Sequence, residues 1–455
     1  MPKYAEQFQR LRCGFVGFGR STFDTNMAEE ILQRSKSSLE LIGPNICAHD
    51  SLITSTTESC EVADLFKGKI DVLIAQFATF VDARMIEAMC ARLRVPVVIW
   101  AIREPKVGGR QRLALNSLTG ANLAGNRLRQ MNIPFQFVYG DPFEDQLNYS
   151  LRQALKVFWL YLGLRSFTII SVGDSPDGFR FSTPSSEVVE RLGITIKKLE
   201  LEDVFRSALE IPDEEVAPYV EAIRQKVNGI DNIPIIQVYK FAKMKRVIQE
   251  EARRVRATAA AIRCWPEFFT EFGAAACSVV SALTDDGIMT ACESDILGSL
   301  SMDVLSKLSE APAYLGDLVE VDDQENALVF WHCGAGAFSL ARGYSGPEAG
   351  VHPNRRQGLT LEFGLKPGPV TVLRIGEDGR GGVRALIAEG EMLDRAQRFL
   401  GTCGVMRLYG EGDTTKRVKR IVELGFEPHY ALAYGHFGCE LERLCALIGV
   451  PVTRF

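Results

Sequence analysis

The sequence predicts an α/β protein: two parallel-sheet, Rossmann-like domains followed by a C-terminal β-rich, barrel-like domain. Three observations lead there. Short apolar runs alternate with longer amphipathic ones through the first two thirds of the chain. Beyond about Glu320 the pattern changes to closely spaced strands separated by Gly/Pro turns. The 455 residues also exceed what one core organises and fit about three domains. The expected borders are 1–165, 166–320 and 321–455.

In the first domain, CGFVGF, DVLIAQ and PVVIWA read as buried strands, with helices from Thr25 to Ser37 and around Ala83 to Leu93 between them. A helix from about Asn148 to Leu162 leads to the second domain. There FTIISVGD, TAAAIRCW and GIMTAC read as strands, SEVVERLGI as a helix and Ile235 to Arg256 as a long charged helix. A helix of about fifteen residues is expected after Glu267. The last domain offers ALVFWHCG, GLTLEFGLKPGPVTVLRIGEDG, GVRALIAEGEML and GVMRLY as strands, with Pro367 and Gly368 placed for a tight turn, and closes on a helix, ELERLCALIG.

Composition narrows the function classes. The 52 basic and 57 acidic residues are well mixed, and the net charge of −5 provides no field for nucleic acid or anionic lipid. The N-terminus lacks the succession of a signal peptide and no apolar stretch approaches a membrane span, so the expected location is cytoplasmic. Eleven scattered cysteines without a CxxC pair read as buried, reduced thiols. No GxSxG elbow supports a nucleophilic hydrolase.

The chemistry concentrates between Ala260 and Glu310. Glu267 follows the strand ending in Cys264-Trp265, and Glu293 and Asp295 follow the strand GIMTAC, so these acids stand past carboxyl ends of parallel strands, where such sheets bind ligands. Acids there also cap helices, so each has a structural reading beside the chemical one. As a ligand set, Glu267 and Asp295 suit a hard divalent cation joined by a histidine. Only five histidines exist. His332 ends an apolar strand and could touch substrate; His429, behind Pro428 at a strand start, is a candidate metal ligand with His436 as its competitor. His49 and His352 lie in polar surroundings and receive no role.

The motifs RCWPE at 263–267, ACESD at 291–295, FWHCG at 330–334 and GPVTxxRI at 368–375 occur in an order that resembles the L-fucose isomerase family and its L-arabinose isomerase relatives. NSLTG at 116–120 and GRSTFD at 19–24 match more loosely. The resemblance implies a metal-dependent aldose–ketose isomerase. It implies that Glu267, Asp295 and His429 hold manganese, or another divalent cation such as magnesium or cobalt, and that Glu267 and Asp295 form the acid/base pair. His332, Trp265 and Arg20 would contact a hexose, deoxyhexose or pentose, with a 6-substituted, sulfonated sugar within range. It also implies a homo-oligomer, trimeric or hexameric, in which one subunit's first domain covers its neighbour's site. Two rivals remain: an NAD(P)-dependent oxidoreductase, from GFGRST at 17–22, which lacks the third glycine of that fingerprint, and a non-catalytic sugar-binding module.

Overall fold

The computed structural model describes residues 4–106, 112–343 and 346–455. The chain forms two compact units, Pro2–Tyr161 and Leu162–Phe455. In the first, strands β1 (Arg12–Phe18), β2 (Asn45–Ile53), β3 (Val72–Phe77), β4 (Val97–Ala101) and β5 (Phe135–Tyr139) make a parallel sheet in the order β2-β1-β3-β4-β5. The runs VLIAQF and VVIWA are buried at every position because helices cover both faces of the sheet. The edge strands β2 and β5 alternate in exposure and carry polar residues, which hides them among the expected loops.

The second unit opens with another parallel sheet, β6 (Thr168–Val172), β7 (Thr195–Leu199), β8 (Ala259–Ile262) and β9 (Met289–Cys292), ordered β7-β6-β8-β9. Nine strands follow: β10 (Tyr314–Asp322), β11 (Ala327–His332), β12 (Glu348–Gly350), β13 (Thr360–Gly364), β14 (Gly368–Glu377), β15 (Val383–Met392), β16 (Thr402–Leu408), β17 (His429–Tyr434) and β18 (Val452–Arg454). Six of them close a cycle of antiparallel pairs, β10-β11-β16-β15-β14-β17 and back to β10, so the expected barrel is a closed one. Its first strand begins at Tyr314, inside the stretch read from sequence as the central domain.

One expected element differs. Instead of a single long helix after Glu267, a π-turn at Phe268–Phe272 stops at Gly273, whose φ of +72° is left-handed, and a separate helix spans Cys277–Asp285. A residue at that φ cannot continue a right-handed helix, and glycine adopts it without steric cost.

The helix Ile296–Ser309 joins the second sheet to the barrel and is buried at every position from Ile296 to Leu308. It packs on β8 and β9 on one side and on β14 and β17 on the other, which is why ILGSLSMDVLSKLS has no polar face. Small serines stitch it in place. Ser299 donates to the Ala260 carbonyl at 2.6 Å, and the Ser301 hydroxyl accepts the Ile375 N–H at 2.9 Å. Ser301→Ala leaves that buried N–H unpaired and is expected to cost about 1–3 kcal/mol in chemical denaturation. A change under about 0.5 kcal/mol would show the bond to be dispensable.

Candidate active site

β9 delivers Glu293 by an unusual route. Glu293 and Ser294 both have φ of +57°, a strained conformation for two successive residues with side chains. The turn is held because the Ser294 N–H donates to the Ile262 carbonyl at 3.1 Å and the Ser294 hydroxyl to the Asp174 carbonyl at 3.2 Å. The indole N–H of Trp265 donates to Glu293 Oε1 at 3.0 Å, fixing the carboxylate.

β10 and β17 deliver the other two groups. In their antiparallel register Asp317 stands directly opposite His429, so both side chains project from one face. His429 is fully buried; its Nε2 lies 2.9 Å from Glu293 Oε2 and 3.5 Å from Asp317 Oδ1. Its Nδ1 lies 2.9 Å from Asp295 Oδ2. Burial disfavours the imidazolium, yet the Asp295, Glu293 and Asp317 carboxylates around it raise its pKa to about 10. His332, ending β11, is likewise buried but raised to about 9 by Cys333, Asp317 and Glu293. Burial pushes the Asp317 carboxyl above the usual carboxylate range despite the two histidines, and it acts on Glu293 in the same sense, where His429 reverses it.

Asp295 plays a different part. It caps the helix Ile296–Ser309 by accepting the Gly298 N–H at 2.8 Å, and the fully buried Arg374 on β14 clasps both its oxygens. Burial opposes its charge, but Arg374 and His429 hold its carboxyl down at about 2. Both oxygens thus have protein partners, and the carboxylate meets His429 on the Nδ1 side of the ring.

Glu267 is also engaged elsewhere. Arg263, four residues earlier, grips both its oxygens at 2.8 Å and donates to the Ser175 carbonyl at 2.9 Å. The carboxylate does not line the pocket that Glu293 and Asp317 share. Arg20 follows β1 in the first unit, its N–H bonded to Thr79 Oγ1 at 2.9 Å. His436 is exposed, 3.8 Å from Glu389, leaving His429 as the histidine of the cluster.

That pocket encloses about 250 Å³ and includes Trp265, Glu293, Asp317 and His332. Among the residues that enter it without having been singled out for a role are Asp317, Glu293 as a facing acid, and His352. Cys277 and Cys333 also reach its wall, their sulfurs 3.5 Å apart. Glu293, His332 and His429 each offer a ligand atom within 4.8 Å of the others. The Nε2 of His332 is buried without a hydrogen bond, and that of His429 faces only the Glu293 and Asp317 carboxylates. Carboxylate oxygens beside imidazole nitrogens form a donor set that fits a first-row divalent cation.

Comparison with known proteins decides the family. The N-terminal domain of fucose/sulfoquinovose isomerases matches residues 14–165, and the C-terminal domain of L-fucose isomerase matches residues 339–455. The chain belongs to the fucose/sulfoquinovose isomerase family. Within that family it is 41% identical to a sulfoquinovose isomerase of Priestia aryabhattai over 424 residues, 92% of this chain and 94% of that one. A sulfoquinovose isomerase of Alkalicoccus urumqiensis is 39% identical over 97% of this chain and 98% of its own, and one of Clostridium sp. (strain MSTE9) is 33% identical over 95% and 97%. The chain is a sugar aldose–ketose isomerase, and the dinucleotide and binding-module alternatives fall away. Among the described residues no helix is long and apolar enough to cross a membrane.

Proposed function

We propose that this isomerase converts a hexose carrying a sulfonate at C6 into the corresponding ketose, at a divalent cation held by Glu293, Asp317 and His429. The convergence of two carboxylates on the His429 imidazole at a pocket wall carries the ligand assignment. The relatives, all sulfoquinovose isomerases, supply the substrate class. Manganese is the preferred metal on the family resemblance, and two carboxylates with one imidazole are a donor set it accepts.

Bound there, the cation would polarise the O1 and O2 oxygens as a Lewis acid and ease loss of the C2 proton. Glu293, fixed by the Trp265 indole, removes that proton from C2 and returns it to C1. Asp317, across from His429 and lining the same pocket, takes the O2 proton and delivers one to O1, so the sugar neither gains nor loses hydrogen. His332 donates to a sugar hydroxyl, and the Trp265 ring packs on the apolar face of the carbon chain. Asp295 and Arg374 orient His429 from behind.

The same reading carries a cytoplasmic homo-oligomer, trimeric or hexameric, which the molar mass in solution tests. Chelation is the first experiment. Protein stripped of metal is expected to lose at least about a hundredfold of its turnover of the sulfonated hexose and to regain it with manganese, one metal per chain by elemental analysis. Full activity in metal-free protein would remove the cation from the reading.

A further inference from the structure

Isomerisation acts at C1 and C2, so the other end of a C6-sulfonated hexose needs recognition of its own; this inference rests on the substrate reading above. The inner part of the pocket holds Glu293 and Asp317, the carboxylates assigned to the C1–C2 end of the sugar. Opposite in charge is the short loop from His352 to Gln357, which brings His352, Asn354 and Arg355 to the pocket. Arg355 is the single lysine or arginine among the residues lining it. Among the described residues no carboxylate pairs with its guanidinium, although most arginines near acids in this chain are paired. An unpaired guanidinium on the pocket wall gives a bound anionic molecule a defined polarity.

The backbone of the loop that carries Arg355 is fixed by its own bonds. The His352 N–H donates to the Gln357 carbonyl and the Arg356 N–H to the His352 carbonyl, each at 2.9 Å. The His352 Nδ1 accepts the N–H groups of Asn354 and Arg355, both at 3.3 Å. Burial and then the Arg355 charge push the His352 pKa down to about 4, which keeps the ring neutral and Nδ1 an acceptor. The ring packs edge-on against Phe269 at 4.9 Å, and Gln357 donates to the Phe269 carbonyl at 3.1 Å, tying the loop to the turn after Glu267.

We propose that Arg355 is the sulfonate-recognition residue of this pocket, setting the sugar with its anion at the loop and its C1–C2 end at Glu293 and Asp317. The planar guanidinium donates two parallel N–H bonds to two sulfonate oxygens, a geometry lysine does not reproduce. The neighbouring Arg356 has the same charge but does not line the pocket, which makes it the matched control.

The test compares kcat/KM for 6-deoxy-6-sulfoglucose and for 6-deoxyglucose, which lacks only the sulfonate, in the wild type, Arg355→Met, Arg355→Lys and Arg356→Met. Arg355→Met is expected to lower the sulfonated-to-deoxy ratio by about tenfold to a hundredfold, mostly through KM. Arg355→Lys should recover part of it, and Arg356→Met should stay within about twofold. A ratio unchanged in Arg355→Met, or lowered equally in Arg356→Met, overturns this inference while leaving the proposed function standing. A wild type that converts 6-deoxyglucose but not the sulfonated sugar overturns the substrate reading, and this inference with it.

Discussion

Glu293→Gln is expected to lower kcat by about 10²- to 10⁴-fold with the fold intact, and Glu267→Gln by less than about tenfold. The contrast follows from where each carboxylate is spent. Glu293 lines the pocket with Asp317 and meets His429, on a backbone turn with two successive positive φ values. Glu267 is held at both oxygens by Arg263 Nε and Nη2, and the third guanidinium nitrogen anchors the Ser175 loop. Loss of Glu267 should therefore register in stability, by about 1–2 kcal/mol for a partly buried bidentate pair, before it registers in turnover. Steady-state kinetics and thermal unfolding on the two variants decide between them. If Glu267→Gln is the dead enzyme and Glu293→Gln the active one, the acid/base assignment returns to the pair first read from the motifs.

The stretch and the histidine singled out in the sequence are the ones the proposed cation site uses, whereas its acids differ from Glu267 and Asp295, and the reason is physical. Asp295 immediately precedes the apolar run Ile296-Leu297-Gly298, which is the N-cap position, and aspartate there satisfies a helix N–H, as it does. Glu293, two residues earlier, cannot cap that helix, and this was the available signal that its carboxylate has another use. Asp317 was harder to see. It lies in AYLGDLVEVD, before the apparent change of texture, and only the β10–β17 register sets it across from His429. Such pairing is long-range and leaves no local periodicity. The same distinction runs through the fold. Central strands such as β3 and β4 are legible as continuous apolar runs, whereas β2, β5 and β7 lie at sheet edges, where half the side chains meet water.

Asp295→Asn is expected to be the most destabilising conservative change in the second unit, at about 3–5 kcal/mol. Asparagine keeps the volume and still caps the helix, so the loss isolates the charge. Without the carboxylate, Arg374 is a guanidinium with no exposed surface whose remaining acid, Glu427, is 3.7 Å away. His429 loses its ionised partner at Nδ1 as well, and with it the basicity that a carboxylate lends to a ligating imidazole; metal affinity is expected to fall about 10- to 100-fold. The double variant Asp295→Asn/Arg374→Met separates the two roles. Removing the stranded cation should restore much of the stability, because a buried pair replaced on both sides costs far less than one broken on one side. Metal affinity should stay low, because the His429 Nδ1 still faces an amide. Unfolding midpoints and metal titrations on the two variants read these effects independently. Recovery of both together would mean that Asp295 acts on His429 only by keeping the fold in place, whereas recovery of stability alone makes it a positioning residue for the metal site.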